Sequence, residues 1–201
     1  MSKSLTVTWV DVESTGLDPR DSAAFEIAFL IYKGSELLGE RVFYLNPLND
    51  VIKFGEEAYK VHGVSEEVIR SYPPAEKVIP EIAEWLSQWS LNEMNDHVEV
   101  DNKFVFAGYC ANFDYGHVKA LFERCDISMD SFFSGRIIDV HERVKKVGAM
   151  GLLPRTENHK LETMTKALGI PHEDSHSALS DIKASRRLYE TIYMIERRIR
   201  G

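Results

Sequence analysis

Thr8-Trp9-Val10-Asp11-Val12-Glu13-Ser14-Thr15-Gly16-Leu17-Asp18-Pro19 completes an apolar run that begins at Leu5. The run is rich in β-branched residues, which favour a pleated strand. On a strand, side chains two apart share a face. Leu5, Val7 and Trp9 therefore lie on one face with Asp11 and Glu13, and Thr6, Thr8, Val10 and Val12 take the other. A row of apolar groups thus ends in two carboxylates pointing the same way. Thr15 to Pro19 then turns the chain out. Two like charges at the end of a core strand are costly unless a cation sits between them. A divalent metal meets that need. The competing expectation is that both acids lie past the sheet edge in water.

Working outward, Ala24 to Tyr32 reads as a second strand and Glu36 to Leu45 as a third, with a turn at Gly34. Short links between them predict an antiparallel meander. Residues 54–61 and 65–71 read as short helices around His62-Gly63, the second capped by Ser65. Pro73-Pro74 breaks the chain. Val78, Ile79, Ile82, Trp85, Leu86 and Trp89 then recur at the helical period, predicting an amphipathic helix over about 75–90. Asn92 to Asn102 is polar and acidic and reads as a surface loop. Lys103 to Tyr109 is a fourth strand, Phe113 to Arg124 a helix with Asp114 in its first turn, and Arg136 to Val140 a short strand or the lead-in to a helix continuing to about Val147. A Gly/Pro-bearing loop spans Gly148 to Asn158. A helix follows from Lys160 to Leu168, and Ser175 or Ser177 opens a long last helix to about Arg198. Strands come first and then alternate with helices, which predicts an α/β fold with a mixed sheet flanked by helices.

The chain of 201 residues is read as one domain over 1–201, with 44% hydrophobic and 28% charged residues, ordinary for a globular protein. Two cysteines, Cys110 and Cys125, form no CxxC pattern, and no signal or membrane-spanning run is visible; a cytoplasmic setting is expected. The net charge of −8 argues against coating nucleic acid through a basic face, but not against an enzyme that grips a few phosphates through metals. Basic residues gather late, and Lys145, Lys146, Arg155 and Lys160 are weighed as phosphate contacts against ordinary solvated faces.

Two further acidic stations follow the first. In Phe106-Ala107-Gly108-Tyr109-Cys110-Ala111-Asn112-Phe113-Asp114 a strand runs into a turn and Asp114 opens the next helix, where the helix dipole alone would favour an acid. In His172-Glu173-Asp174-Ser175-His176-Ser177-Ala178-Leu179-Ser180-Asp181, His176 and Asp181 would point about 140° apart on one helix. They converge better if His176 precedes the helix and Asp181 lies within it.

Taken in order, strand-D-x-E-x-T-G-L, strand-x-N-F-D-helix and H-x4-D at a helix start resemble the DEDDh (DnaQ-like) 3′–5′ exonuclease superfamily. That group includes the proofreading epsilon subunit, RNase T and oligoribonuclease. The resemblance covers roughly residues 5–195. Phe25-Glu26-Ile27-Ala28, Tyr59-Lys60-Val61-His62-Gly63-Val64-Ser65 and His159-Lys160-Leu161-Glu162-Thr163-Met164 add to it. One departure is Tyr109-Cys110, where many members carry His-Asn.

The resemblance implies a ribonuclease H-like, mixed five-stranded sheet flanked by α-helices. It implies a catalytic set of Asp11, Glu13, Asp114, His176 and Asp181, the four acids holding two Mg²⁺ or Mn²⁺ ions and His176 acting as general base. All-carboxylate ligation suits hard ions. Two such ions, about 3.5–4 Å apart, are sufficient for phosphodiester hydrolysis. It also implies that Ser14, Thr15, Leu17, Val61 and His62 meet the terminal nucleotide. His117 is expected near the site; His97, His141, His159 and His172 are read as surface or structural. Tyr109 and Phe113 are read as core before base-stacking residues. The expected partner is nucleic acid with a free 3′ end, DNA favoured, and no membrane. A homodimer or a place in a larger nucleic-acid-processing assembly stays open. An RNA-trimming enzyme, a noncatalytic binding module and a structural protein with incidental acids are the alternatives.

Overall fold

In the computed structural model, which describes residues 5–89, 94–95, 98–99, 103–173 and 177–200, the opening run forms strand β1 (Thr6–Ser14). It pairs antiparallel with β2 (Ala24–Lys33), which pairs antiparallel with β3 (Glu36–Tyr44). This is the expected meander. β1 runs two residues further than the apolar pattern suggests, because the ladder to β2 holds as far as Ser14 opposite Ala24. Glu13 sits opposite Glu26, inside the ladder, so neither acid of the first station lies past the sheet edge.

Two short helices follow, α1 (Glu56–His62) and α2 (Glu66–Ser71), the second capped by the Ser65 hydroxyl accepting from the Val68 N–H. α1 stops at Gly63, whose φ of 71° is the left-handed conformation that glycine adopts without strain. The amphipathic helix is α3 (Ala75–Ser87). In the expected acidic loop, two short strands pair antiparallel, β4 (Met94–Asn95) and β5 (Val98–Glu99); the rest of that stretch lies outside the described residues.

β6 (Phe104–Gly108) returns to the sheet parallel to β1, and α4 (Ala111–Arg124) leaves it. α4 starts two residues earlier than expected. Its first residue follows Cys110, which makes no side-chain cap bond, so the sequence offers no start signal there. β7 (Phe133–Asp139) lies parallel to β6. Asp139 ends it and caps α5 (Val140–Ala149) by accepting the Glu142 N–H. α6 (Leu161–Ala167) and α7 (Ala178–Arg200) complete the chain.

The sheet order β3-β2-β1-β6-β7 is mixed and five-stranded, as expected. Alternation along β1 divides the core. Val10 and Val12 pack with Ile79 and Ile82 of α3 and Phe122 of α4 on one side. Trp9 packs with Val144 of α5, Met164 of α6 and Ile182 and Leu188 of α7 on the other. Helices therefore cover both faces, and Trp9, Asp11 and Glu13 look toward α7. Among the described residues no helix is long and apolar enough to cross a membrane.

Candidate active site

β1 and β6 are parallel, so their carboxyl ends lie side by side at one edge of the sheet, where α/β folds gather their ligands. Asp11 and Glu13 come from the end of β1. Asp181 comes from the first turn of α7, whose Ala178, Ile182, Leu188 and Ile192 are buried against that sheet face. Asp11, Glu13 and Asp181 each offer a carboxylate oxygen, and these oxygens all lie within 4.8 Å of one another. Asp114, in the first turn of α4, is buried and forms the largest charge influence on Asp11, ahead of Asp181 and Glu13. It stands beside the three-acid group rather than within it. A close approach makes this position available: a Cβ on Gly108 would come within 2.8 Å of the Val10 carbonyl oxygen and 3.1 Å of Asp114 Oδ2.

The electrostatics are those of a site built for positive charge. Burial first, then the neighbouring acids, holds Asp11 well above the ordinary carboxylate range. Burial, Asp181, Glu26 and Asp114 push Glu13 up to about 8. Burial pushes Asp114 up to about 8, against the lowering effect of the Val12 backbone. Acids crowded in this way keep protons at neutral pH unless a cation replaces them. Three carboxylate oxygens that close together, partly buried and all hard donors, fit a divalent ion of the magnesium class.

In the sequence Glu26 is one residue of the Phe25-Glu26-Ile27-Ala28 motif, yet in the fold it braces the site. It lies opposite Glu13 on one side and Tyr44 on the other, and only 7% of it is exposed. Its Oε1 accepts the Ala178 N–H at 3.2 Å, joining β2 to the start of α7 across 152 residues. This bond seats the turn that carries Asp181. No local pattern announces it.

The turn after β1 is held from within. Thr15 is buried; its N–H donates to the Ala23 carbonyl, its hydroxyl accepts the Ala23 N–H, and its own carbonyl accepts the Gly55 N–H at 2.9 Å. Ser14 Oγ donates to the Gly16 carbonyl at 2.8 Å. Leu17 stands at the crest, 87% exposed. His117 is fully buried, with Ser22 Oγ 3.3 Å from its Nε2 and the Phe113 carbonyl 3.2 Å from its Nδ1. It supports this turn from below and does not join the acids. The Gly55 bond also draws α1 to the turn. Val61 is exposed there, and His62 packs its ring 4.7 Å from Phe25 while its Nδ1 accepts the Val64 N–H. Burial lowers the His62 pKa.

Tyr109 is core, as expected. Its hydroxyl donates to the His159 carbonyl, and its own carbonyl accepts the His141 N–H. Phe113 is partly buried, its ring 4.3 Å from that of His117. Of the late basic residues, Lys145 pairs with Glu142 at 2.6 Å. His97 and His176 lie outside the described residues.

Known proteins share this arrangement of elements. A family model described as "Exonuclease" (RNase_T) matches residues 8–189. The chain belongs to the DEDDh-type, DnaQ-like 3′–5′ exonuclease superfamily. A DNA polymerase III PolC-type protein of Bacillus cereus is 26% identical over 175 residues, covering 87% of this chain and 10% of the relative. A PolC-type relative from Latilactobacillus sakei is 26% identical over 192 residues, 93% of this chain and 11% of its own length. The chain thus spans about a tenth of the length of the curated relatives it matches. E. coli exonuclease I in complex with a dT13 oligonucleotide has the same fold, with a TM-score of 0.79 at 19% identity, over 97% of this chain and 42% of that one. Its zinc-bound form with single-stranded DNA superposes with a TM-score of 0.75 at 18% identity, over 96% of this chain and 43% of that one.

Proposed function

We propose that this exonuclease-family chain hydrolyses the last phosphodiester at a single-stranded or frayed 3′ end, DNA in preference to RNA, releasing nucleoside 5′-monophosphates. The observation that carries this reading is the meeting of Asp11, Glu13 and Asp181 within 4.8 Å beside buried Asp114. The PolC-type relatives and the dT13-bound neighbour favour DNA. The PolC-type relatives also support a place in a polymerase assembly.

In this reading Asp11, Glu13 and Asp181 would hold one divalent ion, Mg²⁺ or Mn²⁺, and Asp114 would support a second. Such ions supply positive charge to the phosphate and acidify water. The chain supplies the rest. Asp11, which feels the charge of every other acid of the site, would be a ligand to both ions. The turn from Ser14 to Leu17 meets the terminal nucleotide, with Thr15 holding it from beneath and Leu17 packing on the last base. Val61 and His62 border the same nucleotide from α1. His176, set five residues before Asp181, takes the proton of the attacking water; an imidazole titrates near neutrality and suits that exchange.

The test incubates the chain with 3′-labelled single-stranded DNA, duplex DNA and RNA, each with Mg²⁺, Mn²⁺ or EDTA. Labelled mononucleotide should leave single-stranded DNA first, only with a divalent ion. Asp11→Ala and Asp181→Ala should abolish release while keeping the far-ultraviolet spectrum of the wild type. Faster release from RNA would replace the DNA reading with RNA trimming. No release from any substrate, with either ion, would leave a noncatalytic binding module.

A further inference from the structure

His172 lies on the segment between α6 and α7, and its ring is turned inward. Its Nε2 is 2.7 Å from Asp181 Oδ1, and its side chain is 5% exposed. Its Nδ1 faces Thr165 Oγ1 at 3.4 Å, and Thr165 is itself buried on α6. The Thr165 hydroxyl is anchored in that helix, 2.9 Å from the Leu161 carbonyl and 3.0 Å from that of Glu162. The segment around the ring is fastened on both sides of His172. Arg187 donates to the Pro171 carbonyl at 3.1 Å, and the Ser180 hydroxyl donates to the Glu173 carbonyl. The imidazole therefore has a fixed position and a fixed direction.

A carboxylate on the first turn of a helix turns easily about its last bond. An Nε2–H donor on one oxygen stops that rotation and aims the other oxygen. Carboxylates and imidazoles that grip metals are commonly oriented by such partners, and losing one costs about 10–100-fold in metal affinity or activity. We infer that His172 is a positioning residue, holding the Asp181 carboxylate in the orientation in which it joins Asp11 and Glu13 around a divalent ion. This rests on the metal-site reading above. It differs from a packing role, in which His172 would matter only for seating the segment between α6 and α7.

The test follows the melting temperature of the wild type, His172→Ala, His172→Gln and His172→Asn across a Mn²⁺ titration, with EDTA as the starting point. Glutamine carries its amide nitrogen near the place of Nε2 and should keep a midpoint close to that of the wild type. Alanine and the shorter asparagine lack a donor there and should need about tenfold more Mn²⁺ or above. If the alanine variant does not fold, the comparison of glutamine with asparagine decides alone. Equal midpoints for the wild type and every folded variant, or a loss with glutamine as large as with asparagine, overturn the role of His172 while leaving the metal site standing. A wild type that gains no stability from Mn²⁺ overturns the metal reading and this one together.

Discussion

Asp11 has Asp114, Asp181, Glu13 and Glu26 for charged neighbours, and burial strengthens every one of those repulsions. Glu13 and Asp114 are each pushed up to about 8 in the folded chain. Unfolded, they would titrate in the ordinary carboxylate range near 4. The folded state thus holds protons that the unfolded state releases between about pH 4 and pH 8. Their contribution to stability is complete below about pH 4 and is lost as pH rises through about 8. In EDTA the melting temperature should fall between about pH 5 and pH 8; saturating Mn²⁺ should flatten or reverse that fall, because a cation favours the ionised forms. A calorimetric scan at both pH values checks it, and a fall unaltered by Mn²⁺ would contradict the site. Gly108 presents a second residue-scale case. Alanine there would press on the Val10 carbonyl and Asp114 Oδ2, neither of which can withdraw freely. Gly108→Ala should cost about 1–3 kcal/mol in urea unfolding and lower exonuclease turnover more than an exposed substitution does.

At the scale of elements, α7 provides both core and chemistry. Its apolar stripe docks it on the sheet, but the stripe alone does not set the position of its first turn along the axis. Glu26 does so from β2, by accepting the Ala178 N–H. Burial and Asp181 raise the Glu26 pKa, while that bond lowers it. The geometry of an acceptor on a helix-start N–H matters here more than a full charge. Glu26→Ala should cost about 0.5–2 kcal/mol, the range for losing a helix N-terminal acceptor, and should also weaken the Mn²⁺ midpoint. Glu26→Gln keeps a carbonyl oxygen at the same reach and should retain most of both. Denaturant unfolding paired with Mn²⁺ titration checks this; equal losses in the two variants would assign Glu26 to charge rather than to seating.

Across the molecule, the four acids come from three elements, β1, α4 and α7, that bring them together at the edge where β1 and β6 end. An ion bound there by the native state stabilises whatever must be in place to hold it. Hydrogen exchange should therefore slow at the end of β1, the first turn of α4 and the first turn of α7 together when Mn²⁺ is added. Slowing in one of these elements alone would mean that the acids do not act as a single site.

Local periodicity was sufficient for much of this. The alternation from Leu5 to Glu13 set Asp11 and Glu13 on one face, and the helical period of Val78 to Trp89 marked α3, because strand and helix geometry act over a few residues. The ordered motifs carried the family. Three features needed the fold. Asp181 reaches Asp11 only because α7 docks on that particular face of the sheet. Glu26 meets Ala178 through a contact between residues 152 apart in the sequence. His172 reads in the sequence as a surface or structural histidine, and only the fold turns its ring onto Asp181. Each of these depends on where side chains from distant segments point after packing, and the free energy of packing is shared among many residues rather than written at the positions it brings together.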